Sequence, residues 1–141
     1  MFLWKQNQFN QAKQLWSTSH PITYRVTVYS RDFVHKPDEC DFWEPYTITV
    51  TDEKVVDSNA PIECKAFYEQ LTIENSFSLI KQYLNGYVPF LYPMPALRYD
   101  DTYGFVSYFY ISHTNSIFST NYSRISISYE DFSVLETYSA P

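Results

Sequence analysis

The stretch ITYRVTVYS, residues 22 to 30, constrains the fold more than any other part of the chain. Ile22, Tyr24, Val26 and Val28 fall on one side of it, and Thr23, Arg25, Thr27 and Tyr29 on the other. Side chains of a strand alternate between faces, so the segment reads as a strand with one buried side and one wet side. That is the habit of an antiparallel sheet, which needs a second layer on its apolar face only.

The rest of the chain extends this reading. It holds 14 Tyr and 11 Phe against two Gly in 141 residues, and aromatic and β-branched side chains suit a pleated, half-buried surface. YTITVT, then Asp52-Glu53, then Lys54, Val55 and Val56 predict a β-hairpin. Further strands are expected at ALRY, at FVSYFYIS and at YSRISISYE, with DFSVLE as a last apolar patch. In FVSYFYIS, Phe105, Ser107, Phe109 and Ile111 oppose Val106, Tyr108 and Tyr110, which reads as a central strand with a tyrosine surface on its exposed side.

Two segments have helical spacing instead. Phe9, Ala12 and Trp16 recur on one face between Gln8 and His20-Pro21, and residues 1–8 are expected to form an arm ahead of them. Thr72 as N-cap, Glu74 in the first turn, the stripe Ile73, Phe77, Ile80 and Leu84, and Asn85-Gly86 as a stop predict the second helix. YVPFLYPMP carries three prolines and reads as an extended connector. The expected fold is therefore a single α+β domain over 9–138, one antiparallel β-sheet of five or six strands packed against two helices in two layers.

Cys40 and Cys64 flank the hairpin and lie equidistant from its centre to within one position, which places them together beyond its open end. The expectation is a disulfide and hence an oxidising compartment; two unrelated free thiols are the alternative. An Asn-x-Ser sequon at Asn121 is compatible with secretion. MFLW is followed at once by Lys5, Gln6 and Asn7, too short an apolar run for a signal peptide, so the chain reads as a mature form or as exported by another route. No apolar run approaches the ~18 residues of a membrane span.

Most chemistries lack their residues. His20, His35 and His113 are scattered and offer no metal-ligand spacing. Two glycines leave nothing for a phosphate loop or a nucleophile elbow, and a bridged cysteine is no nucleophile. The net charge of -6, without a basic cluster, argues against a nucleic-acid partner, and no cofactor is expected. Acidic groups remain: Asp38, Glu39, Asp41 and Glu44, Asp100 with Asp101, and Glu130 with Asp131. The first cluster lacks the EF-hand pattern and reads as a solvated loop, with calcium as the alternative. In RYDDTYGF, Asp100 to Gly104 stand between two strands and read as a hairpin turn, with Asp bonding its own backbone and Gly taking positive φ.

Taken in order, Trp16 ahead of ITYRVTV, the cysteine before YTITVTDEKVVD, the helix TIENSFSLI, RYDDTYGF and the late SISYEDFSVLE resemble a family of small bacterial exported domains, often lipoproteins, of unknown function. The family signature of Tyr-Asp followed by Gly-Tyr-Pro matches Tyr99, Asp100, Gly104 and Phe105, with Val106 in place of the proline. The resemblance implies an exported α+β domain and no particular activity.

The expected function is that of a non-enzymatic domain that is secreted, periplasmic or on the cell surface. It would bind a protein partner or assemble with copies of itself through Tyr29, Tyr108 and Tyr110 on the sheet and Phe42, Trp43 and Tyr103 in loops, since stiff aromatic side chains with polar tips are enriched at interfaces. An exposed edge strand or the arm 1–8 would provide a second route to self-assembly. The rivals are a hydrolase using Asp100 or Asp101 with a distant Glu, and a small-ligand carrier, which needs a hollow where Phe77, Ile80, Phe109 and Ile127 would otherwise fill the interior.

Overall fold

A computed structural model describes residues 2–32, 40, 44–85, 95–114 and 122–138. Its elements, in chain order, are α1 (Phe2–Ser19), β1 (Thr23–Asp32), β2 (Tyr46–Thr51), β3 (Lys54–Ser58), α2 (Ile62–Tyr68), α3 (Ile73–Asn85), β4 (Ala96–Tyr99), β5 (Val106–Thr114) and β6 (Tyr122–Glu136). The six strands form one sheet in the order β3-β2-β1-β6-β5-β4, with every neighbouring pair antiparallel. The fold is the two-layer α+β arrangement that the alternation predicts.

β1 takes the centre because its alternation is clean. Tyr24, Val26 and Val28 are buried and Arg25 and Tyr29 exposed. The buried row meets Phe9, Ala12 and Trp16 of α1 and Ile73, Phe77, Ile80 and Leu84 of α3 in one core. Phe77, Ile80, Phe109 and Ile127 all lie in it, so the hollow that a small-ligand carrier needs at these residues is filled. The Thr72 hydroxyl accepts the Asn75 N–H at 3.1 Å, as an N-cap does.

Several boundaries differ from the reading of the sequence. α1 starts at Phe2, so residues 2–8, expected as an arm, are its first two turns; helix geometry removes them as a strand donor. The segment SNAPIEC contains the start of α2, a third helix beyond the two expected, which buries Cys64 and Tyr68. Cys40 and Cys64 form the expected disulfide with Cα atoms 5.2 Å apart, and among the described residues no cysteine is free. Residues 87–94 of the expected connector YVPFLYPMP lie outside the described residues, as do 115–121.

Of the four register shifts in the sheet, two redirect side chains towards one cluster. Thr27 faces Glu130 but Arg25 faces Ser133, and Asp131, at φ 53, is the residue between. One extra residue inverts the alternation, so β6 sends Ile125, Ile127 and Tyr129 inward before the shift and Phe132 inward after it. Likewise Arg98 faces Tyr108 while Tyr99 faces Val106. Val106, expected beside the outer tyrosines, is fully buried, and Ser107, expected inside, is the displaced residue. Both shifts feed one aromatic cluster: Phe132 lies 4.8 Å from Phe105, 5.5 Å from Tyr24 and 6.1 Å from Trp16, ring centre to ring centre.

Candidate functional site

Among the described residues, the helices cover one face of the sheet. On the other, the register aligns side chains in rows across four strands. Tyr29 of β1 faces Ser128 of β6, which faces Tyr108 of β5, which faces Arg98 of β4. In the next row, Arg31 faces Ser126, Ser126 faces Tyr110, and Tyr110 faces Ala96. Ser128 of β6 thus lies between Tyr29 and Tyr108, and Ser126 between Arg31 and Tyr110, so small hydroxyl residues form a shallow trough between larger side chains of β1 and β5. Tyr29 is 40% exposed, Tyr108 and Tyr110 are half-buried, and the Arg98 guanidinium lies 5.3 Å from the centre of the Tyr108 ring. An arginine stacked on an aromatic face keeps its N–H edge available for a planar anion.

Three of the residues expected at a binding surface, Tyr29, Tyr108 and Tyr110, therefore share this face. Tyr103 does not: its ring packs 5.0 Å from Phe132, on the helix side. Phe42, Trp43 and Asn121 lie outside the described residues, as do Asp38, Glu39 and Asp41. Arg98, Ser126 and Ser128 did not stand out in the sequence, although the alternation in RISIS carries the signal that two serines share a face.

The edges of the sheet are poorly suited to strand addition. β3 and β4 have five and four residues, each pairs with its neighbour across a register shift, and they expose Lys54 and Asp57 on one edge and Arg98 on the other. Short length, bulges and charge are the devices that blunt an edge.

At RYDDTYGF the two carboxylates have separate surroundings. Asp100 spends one carboxylate oxygen, Oδ2, on its own turn, accepting the N–H groups of Thr102 at 3.0 Å and Tyr103 at 2.7 Å, and Asp101 points to solvent. Gly104, at φ +83, closes the turn against α1. Tyr99, beside it, is half-buried, and that burial pushes its hydroxyl up to about 12.

A different carboxylate, that of Glu74, is half-buried. Glu74 lies at the floor of a cleft of about 550 Å³ between α1, the β2–β3 turn and α3, with Lys13, His20, Asp52 and Lys54 around it. Its Oε2 accepts the Trp16 indole N–H at 3.1 Å and its Oε1 the Tyr24 hydroxyl at 2.9 Å, while that hydroxyl accepts the Ile73 N–H at 3.0 Å. Burial raises the Glu74 carboxyl above its usual range, and the hydrogen bonds from Tyr24, its own backbone and Trp16 pull it part of the way back. The network ties α1 and β1 to the first turn of α3, where a carboxylate also meets the positive end of the helix dipole. Both oxygens serve that structural joint.

Among the described residues no group of three or more His, Cys, Asp or Glu side chains could hold a metal ion, and no helix is long and apolar enough to cross a membrane. Comparison with protein-family models, with curated proteins and with solved structures finds no match to the chain.

Proposed function

We propose that this chain is a non-enzymatic, extracytoplasmic domain that binds a protein partner, or further copies of itself in a surface assembly, through the outer face of its sheet. One observation supports the reading above the others: Tyr29, Tyr108 and Tyr110 stand on a face that no described helix covers, with Arg98 stacked on Tyr108. Tyrosine and arginine are the residue types that dominate binding energy at protein interfaces. The disulfide is compatible with an oxidising compartment outside the cytoplasm.

The test is the mass of the protein as drawn from its source, by size-exclusion chromatography with light scattering. The intact chain is expected in a species heavier than its own 16.8 kDa. A variant carrying Tyr108→Ser and Tyr110→Ser is expected to keep its thermal melt and run alone. Equal masses for the two proteins would refute the proposal.

A further inference from the structure

All four arginines of the chain, Arg25, Arg31, Arg98 and Arg124, are in strands. Arg25, Arg31 and Arg98 are exposed at positions of outward parity. The chain as a whole carries a net charge of -6, and on this face Arg25, Arg31, Arg98 and Lys54 stand alongside Glu130 and Asp57. Exposed arginines on an acidic chain are the local points that attract an incoming anion.

We infer that the occupant of this face is an extended acidic segment of a protein partner, laid along β6 between Tyr29 and the pair Tyr108 and Tyr110. The inference rests on the function proposed above and names the chemistry of the partner. Strands lie about 4.8 Å apart, so the trough over Ser126 and Ser128 is ~10 Å from one tyrosine strand to the other, room for one extended chain. Same-face residues recur every ~6.7 Å along β6, the spacing of alternate side chains in an extended peptide. Arg98, held over Tyr108, presents a preorganised fork to a carboxylate. Arg31 flanks the opposite side beside Ser126 and is also engaged within the chain. Glu130, exposed on the same strand and facing Thr27, ends the trough by repulsion.

A fluorescein-labelled ten-residue peptide of alternating Glu and Ser, titrated against the intact chain by anisotropy, tests this. Saturable binding is expected, weakened about tenfold or more by Arg98→Glu and by raising salt from about 50 to about 300 mM. Arg25→Glu, beyond Glu130, is expected to change affinity less than about twofold. Arg98→Gln serves if Arg98→Glu lowers the thermal melt. Undiminished binding by both Arg98 variants, equal binding of a Lys-Ser peptide, or tighter Arg98-dependent binding of heparin would each overturn the inference. If the Glu-Ser peptide fails to bind while Tyr108→Ser with Tyr110→Ser still dissolves the native complex, the acidic occupant falls and the binding face stands. If neither effect is seen, both fall.

Discussion

Replacing Gly104 by Ala tests the joint between the β4–β5 turn and α1. The residue has φ +83, where an L side chain costs about 1–2 kcal/mol. A Cβ there would stand 2.6 Å from the Ala12 carbonyl oxygen and 2.8 Å from the Leu15 Cβ, both fixed by the helix. Relieving such a contact means moving α1 off the turn, and overpacking of this kind costs about 1–3 kcal/mol. The expected loss is about 2–5 kcal/mol, a large share of a typical domain's stability. Urea unfolding followed by tryptophan fluorescence measures it, since Trp16 packs edge-on against Phe105 at 5.8 Å in the same joint. The midpoint should fall with the slope unchanged. Adding Leu15→Ala removes the Leu15 Cγ but keeps its Cβ and the Ala12 carbonyl, so it should not rescue the variant. A loss under about 1 kcal/mol, or full rescue by Leu15→Ala, would refute the reasoning.

Two further outcomes follow from the same geometry. The disulfide spans a sequence separation of 24, so replacing both Cys40 and Cys64 by Ala should cost about 3–4 kcal/mol by loop-closure entropy, read as a lower urea midpoint; no change would mean that the loop is already restrained without the bond. Glu74 has a folded-state carboxyl raised above its unfolded value near 4.5, so the folded state holds that proton more tightly. Its favourable contribution is full below the unfolded value and is lost as pH rises through the raised one. Stability measured for wild type and Glu74→Gln at pH 4 and pH 7 should therefore shift in favour of Gln on going to pH 7, and a difference independent of pH would sink the assignment.

What was legible from the sequence was whatever obeyed a period. The strand at Tyr24, Val26 and Val28, the α3 stripe and the hairpin around Asp52-Glu53 all follow local rules, and the cysteines inherit their pairing from the hairpin. The two bulges escaped because one extra residue inverts the alternation without changing composition. Val106 is apolar on either face, and Asp131 looks like any turn residue until its φ of 53 is known. Glu74 escaped for another reason. As a first-turn acid it needs no further explanation, and only tertiary packing brings Trp16 and Tyr24 onto its carboxylate. Asp52 and Glu53, at φ 50 and 68, likewise occupy a tight two-residue turn that Asn-Gly fills better, so the hairpin was recognisable from its flanks rather than from its tip.

The outer tyrosines pose the question of whether they are there for the sheet itself. Cross-strand aromatic pairs stabilise a sheet by roughly 0.2–1 kcal/mol each when the rings stand directly opposite one another. Here they do not. Tyr29 and Tyr108 both face Ser128, and Tyr110 faces Ser126 and Ala96, so each of these three rings has a small neighbour across at least one strand. On the inner face the same chain stacks Trp16, Tyr24, Phe105 and Phe132 closely, and two bulges bring Phe132 and Val106 into that side. The sequence thus concentrates ring-on-ring packing where it stabilises the core and spaces the outer rings with serine, an arrangement that aromatic pairing within the sheet does not explain.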